Sequence, residues 1–230
     1  MHLYGTTHEQ LGAVAVAMRR HAQLHPNAVM KSIPMTLDDY LASRWVSYPY
    51  RLLDCCLETD GAAAVIVCAA DMAKDLRQKP AYIMAASQGM GNRNFTMNNF
   101  FKNPLLESPG AYAARDLWRM AGVTAQDVDV AQLYDAFTPL VLGSLEEYGI
   151  CKPGEAGAFV EDHGLEIGHR LPTNTSGGSL SEAYVHGINL IIEATRQIRG
   201  TAINQAPDAR LSLATSGNMV PTGALLLRGD

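Results

Sequence analysis

The sequence predicts a layered α/β fold, and three observations carry that prediction. Apolar runs of strand length, at 62–68 and 81–87, alternate along the chain with longer stretches of helical periodicity. The first of these runs has no polar alternation, the pattern of a strand covered on both faces. The chain of 230 residues is 47% hydrophobic, enough for one or two domains with a sizeable core.

The elements follow in order. Thr7 and Gln10 form a capping-box pattern, and Leu11, Val14, Ala15, Met18 and Ala22 share one face, so 8–24 reads as a helix ended by Pro26. Thr36 caps a short second helix through Arg44. Asp60-Gly61 is a turn signal before a buried strand at 62–68. A short helix at 71–77 leads to the strand at 81–87. Residues 88–108, with Gly89, Gly91, several Asn and three Phe, read as a long loop over a site. Helix resumes over 109–121, a strand spans 128–133, and 137–148 is a helix closed by Gly149. Residues 151–172 hold four Gly and two Pro, which reads as a loop with a short hairpin. A glycine turn then feeds a long helix capped by Ser181, in which Ile188, Ile191, Ile192, Thr195 and Ile198 recur until Gly200. Strands at 211–215 and 224–228 complete the chain.

Composition narrows the function. Net charge is -5 with both signs scattered, so no basic stripe points to nucleic acid and no polybasic segment to a membrane. The longest apolar run is too short to span a bilayer, and the first residues lack a signal-peptide pattern. Cys55, Cys56, Cys68 and Cys151 show no C-x-x-C spacing, so free thiols in a cytoplasmic protein are expected and a metal site is not.

The candidate site centres on the turn. Gly177 and Gly178 permit close approach of a ligand. On this reading Tyr184 lies in the first turn of the long helix, where free N–H groups and the dipole favour a phenolate. Lowering a phenol by about two pKa units takes roughly 2.7 kcal/mol. A helix terminus contributes up to about 2 kcal/mol, and a hydrogen bond must supply the rest.

Several collinear blocks carry a family resemblance: Gly5-Thr-Thr-His-Glu-Gln10, Asp60-Gly-Ala-Ala-Ala64, Tyr134-Asp-Ala-Phe137, Gly177-Gly178 and Gly223-Ala-Leu-Leu-Leu-Arg228. Together they resemble the thiolase superfamily, in its sterol-carrier or lipid-transfer branch. The resemblance implies a layered αβαβα fold, here the end of the N-terminal half (1–77) plus a complete C-terminal half (78–230). It implies that the segment bearing the nucleophilic cysteine of thiolases is not part of this sequence.

Two departures from thiolases bear on chemistry. Tyr184 stands where they place a catalytic histidine, and Ala214-Thr-Ser-Gly-Asn-Met219 lacks their second cysteine. The paired tyrosines, Tyr134 and Tyr184, are similar to those of thiolase-like steroid side-chain aldolases. That subgroup cleaves a 17-hydroxy steroid side-chain CoA ester to a 17-ketosteroid and propionyl-CoA.

The resemblance implies no cofactor, CoA being part of the substrate. It further implies a homodimer and an OB-fold/zinc-ribbon partner protein. In the retro-aldol scheme Tyr184 is the base and Tyr134 its neighbour. Asp135, His186 and Asn174 support them, and Gly177, Gly178, Ser216 and Gly217 serve as oxyanion or CoA-binding positions. His186 is expected to face away from Tyr184, because residues two apart on a helix do not share a face. The alternatives are an acyltransferase of the acetyl-CoA acetyltransferase type and a catalytically silent acyl-CoA-binding subunit.

Overall fold

The structure, a computed structural model, describes residues 1–91, 108–217 and 222–229. Most of the loop expected at 88–108 therefore lies outside the described residues.

Helix α1 (His8–Leu24) begins with the expected capping box, Thr7 Oγ1 accepting from Gln10 N and Gln10 Oε1 from Thr7 N. Helix α2 (Leu37–Ala42) repeats the device with Thr36 and Asp39. A small antiparallel hairpin follows, β1 (Trp45–Ser47) with β2 (Tyr50–Arg51). A one-turn helix, α3 (Ala70–Ala73), precedes β3 (Tyr82–Gly89). Next come α4 (Pro109–Ala121), β4 (Val130–Gln132), α5 (Thr138–Glu147) and α6 (Ala156–His163). The chain closes with α7 (Gly178–Ser181), α8 (Ile188–Arg199), β5 (Leu211–Thr215) and β6 (Thr222–Arg228).

One mixed sheet has the order β3-β6-β5-β4, antiparallel except for the parallel β4–β5 pair. Successive residues of β5 and β6 serve opposite faces, as the pleat requires. Leu213 and Leu226 enter the main core with α1, α4 and α5. Ala214 and Leu227 meet Ala194 and Ile198 of α8 on the other side. The sheet is thus covered on both faces, the layered arrangement expected from the alternation of elements.

Three expectations need correction. Residues 62–68 form no strand: Ile66 is 96% and Val67 72% exposed. A strand needs a neighbour for its N–H and C=O groups, and no described strand runs beside this segment. Residues 151–172 hold a helix, α6, rather than a hairpin, and its buried Ala156, Gly157 and Val160 pack it on the body. The glycines counted there mostly flank it, Gly154 before and Gly164 (φ 65°) as its closing residue.

The third correction bears on the site. The helix expected to run from Ser181 to Gly200 is broken. Ser181 ends α7 and its Oγ accepts from Arg19 Nε at 3.0 Å, while α8 starts at Ile188 behind Gly187 (φ 87°). His186 also has a left-handed backbone, φ 50°. Two consecutive residues in that region cannot continue a right-handed helix. Tyr184 therefore lies in the connection between the helices and not in a first turn.

Candidate active site

The site is built where the parallel strands end. Tyr134 lies two residues beyond β4, and its N–H donates to Thr215 Oγ1 at the end of β5 (3.2 Å). The carboxyl ends of parallel strands are the usual place for a ligand in α/β sheets. The Tyr134 ring fits between two glycines with left-handed backbones: a Cβ on Gly217 would lie 2.8 Å from its Cδ1, and one on Gly187 3.3 Å from its Cδ2. Only glycine gives both the conformation and the room. Ala136 and Leu190, with partly buried Cys56, complete the apolar seat.

Tyr184 reaches the same point from the α7–α8 connection. Its backbone N–H donates to Thr59 Oγ1 (3.2 Å), and its hydroxyl is 2.8 Å from the Tyr134 hydroxyl. Burial pushes the Tyr134 phenol pKa well up, and its hydrogen bond to Tyr184 pushes it further. The helix-tip argument for a phenolate at Tyr184 fails with the broken helix.

Asp135 is fully buried, and its two carboxylate oxygens accept from Ser179 N (2.8 Å) and Leu180 N (3.2 Å). It thus satisfies free N–H groups at the start of α7. Burial pushes its pKa up to about 6 against the lowering effect of those bonds. Asn174, also buried, accepts from Leu133 N (2.7 Å) and donates to Leu133 O (2.8 Å), tying the glycine turn to the strand before Tyr134.

Gly177 and Gly178 sit behind the site. A Cβ on Gly177 would press on Ala22, and one on Gly178 would collide with Asp135 Oδ2. The closeness they permit is between parts of the protein, and neither lines the cavity beside the tyrosines. That cavity, about 660 Å³, is walled by residues 86–88 of β3, 214–216, 223–225 of β6, and His186 through Ile188 with Ile191. Its size suits a small-molecule site. Ser216 lines it, but its N–H is already committed to Gly223 O (2.9 Å), so it offers no free oxyanion donor there. Gly217 instead abuts the Tyr134 ring.

His186 corrects another expectation. Its ring lies 6.1 Å from that of Tyr134 and 5.8 Å from that of Tyr184, and it lines the cavity. The helix rule that turned it away does not apply to a segment that is not helical. Thr59, Thr215 and Gly187 were missed. Gly187, set directly before an apolar helical run, was the one legible signal.

The Cys56 thiol, packed by Tyr134, has its pKa pushed up to about 11, by burial first and then by the Asp135 charge. No group of three or more potential metal ligands occurs among the described residues. No helix of the described residues is long and apolar enough to cross a membrane.

This sheet, covered by helices on both faces and with a glycine turn behind the ends of its parallel strands, is a thiolase-like arrangement, in which the tyrosine pair is the departure. The family model "Thiolase C-terminal domain-like" matches residues 84–226, and the chain belongs to that family. It is 47% identical to the 17-hydroxy-3-oxo-4-pregnene-20-carboxyl-CoA lyase of Mycobacterium tuberculosis, over 99% of this chain and 59% of that protein. It is 46% identical to the steroid side-chain-cleaving aldolase of Thermomonospora curvata, over 100% of this chain and 59% of that one. The solved structure of the Ltp2-ChsH2(DUF35) aldolase superposes with a TM-score of 0.97 at 45% identity, covering all of this chain and 60% of that chain. The chain spans about three-fifths of the length of the curated relatives it matches.

Proposed function

We propose that this chain works in the retro-aldol cleavage of a β-hydroxyacyl-CoA, a 17-hydroxy steroid side-chain ester giving a 17-ketosteroid and propionyl-CoA. The observation that carries the reading is the 2.8 Å contact between the Tyr134 and Tyr184 hydroxyls; neither tyrosine lines the apolar cavity, but His186, whose ring lies next to both of theirs, does. Retro-aldol cleavage needs a proton removed from the β-hydroxyl and returned to the α-carbon, and it needs no covalent nucleophile. A pair of hydroxyls can carry that proton. Gly187 and Ile188, at the start of α8, line the same cavity, where the helix dipole favours the negative enolate. The names of the two similar proteins support the steroid ester as substrate.

In this reading 1–77 belong to the N-terminal half and 78–230 to the C-terminal half of a thiolase-like subunit. The protein is cytoplasmic and dimeric, uses no cofactor, and works with an OB-fold/zinc-ribbon partner. The pairing of Ltp2 with ChsH2(DUF35) in the similar aldolase supports such a partner. Acyl transfer requires a thiolate, and the raised Cys56 thiol argues against one at this place.

The test is cleavage of a 17-hydroxy steroid 20-carboxyl-CoA ester by the chain, alone and with the co-expressed partner. Tyr184→Phe is expected to lower kcat by about 10²-fold or more, the usual worth of a positioned acid/base, with circular dichroism unchanged. Thiolytic cleavage of a ketoacyl-CoA by free CoA would establish the acyltransferase instead. Ester binding without turnover, with and without the partner, would establish a silent subunit.

A further inference from the structure

We infer that His186 is a catalytic residue of this site: its imidazole is the base on which the substrate's proton rests between leaving the β-hydroxyl and reaching the α-carbon. The inference rests on the retro-aldol reading.

The geometry is specific. Among the described residues, His186 is the one whose ring approaches both tyrosine rings, at 6.1 and 5.8 Å, and which also lines the cavity. It holds that place through a backbone at φ 50°, a conformation that costs a residue with a side chain free energy and is kept where surroundings impose it. It is exposed, so burial in a core does not account for its position. The other lining side chains from β3, β5 and α8, among them Ser87, Gln88, Thr215 and Ile191, include no acid or amine. Among the described residues, the titratable groups next to His186 are the two phenols, and Tyr134 in turn lies near Cys56 and the Asp135 carboxyl.

The chemistry asks for such a group. A phenol passes a proton along only if a further base takes one from it, and Tyr134 is pushed away from ionising. Imidazole is the side chain suited to accept and release a proton near neutral pH. In the forward step Tyr184 takes the β-hydroxyl proton as its own hydrogen passes through one bridging water to the imidazole, whose ring lies 5.8 Å from the phenol ring. The Cα–Cβ bond breaks, its electron pair moves into the thioester enolate, and the β-carbon becomes the ketone. The imidazolium then gives its proton to the α-carbon, releasing the shortened acyl-CoA with the imidazole neutral again. No co-reactant is consumed.

The test compares wild type with His186→Asn and His186→Ala across pH 5 to 9. Asparagine tolerates the left-handed backbone, so it separates lost chemistry from backbone strain. The wild-type kcat/KM is expected to show an acid limb falling tenfold per pH unit. His186→Asn should lose about 10²-fold or more and lose that limb, with melting temperature unchanged. Added imidazole should restore part of the activity of His186→Ala and none of Tyr184→Phe. If wild type cleaves the ester and His186→Asn stays within tenfold with the same limb, this inference alone falls. If wild type does not cleave it, the retro-aldol reading falls and takes this inference with it.

Discussion

At Tyr134 two opposed requirements meet in one side chain. Its ring must be buried to be fixed, and burial makes its hydroxyl harder to ionise. The hydrogen bond at 2.8 Å to the half-buried Tyr184 raises that barrier further, so Tyr134 works as a protonated partner of Tyr184. Tyr134→Phe should therefore cut cleavage about as deeply as Tyr184→Phe, and the double variant should be little worse than either, since the pair acts as a unit. A double-mutant cycle on kcat/KM checks it. Asp135 gives a second prediction. Its folded pKa of about 6 lies above the ordinary 3.8, so it holds its proton more tightly folded than unfolded. Its contribution to stability is largest below the lower value, is lost as pH rises from there through about 6, and is flat above. The shift corresponds to roughly 3 kcal/mol at most. Melting temperatures of wild type minus Asp135→Asn should accordingly fall between pH 4 and pH 7.

The element that decides the site is a helix that does not form. Residues 181–199 have helical periodicity at their far end and good capping residues at the near one. The break at His186 and Gly187 turns the connection so that Tyr184, His186 and Tyr134 converge. Gly187→Ala should straighten or strain that connection, at about 1 kcal/mol or more of stability, and move Tyr184 off its partner. Loss of cleavage greater than the loss of folded protein would show it. Behind the site, the α7 start is held against Asp135 with no spare room. Gly178→Ala combines a left-handed backbone (φ 58°) with a methyl that collides with the carboxylate. A loss of about 1–3 kcal/mol is expected in urea unfolding.

At the scale of the molecule, the sheet is covered on both faces, while the apolar residues at 62–68 are not. Residues 62–68 read as buried strand, yet form none and are mostly exposed, Ile66 most of all. Such a segment is a template for pairing with another chain. Ile66→Lys with Val67→Lys should reduce light scattering of the isolated chain on warming and leave its melting temperature within about 1 °C, because surface changes away from packed contacts cost little. An unchanged scattering curve would mean that another surface drives association.

Local chemistry determined much of this protein before any fold was known. The capping boxes at Thr7 and Thr36, the helix over Pro109–Ala121 and the last two strands follow from spacing and from which backbone groups a side chain can satisfy. The two tyrosines were legible too, since they stand out as replacements within otherwise familiar blocks. Tertiary structure decided what those residues face. Whether residues 62–68 are strand depends on a neighbour remote in sequence, and periodicity says nothing of neighbours. Whether His186 points toward Tyr184 depends on two left-handed backbone angles, which a helical pattern conceals. Short-range preferences specify elements, but the meeting of Tyr134, Tyr184 and His186 is a long-range event, fixed by Thr59, Thr215 and two glycines that make room for one ring.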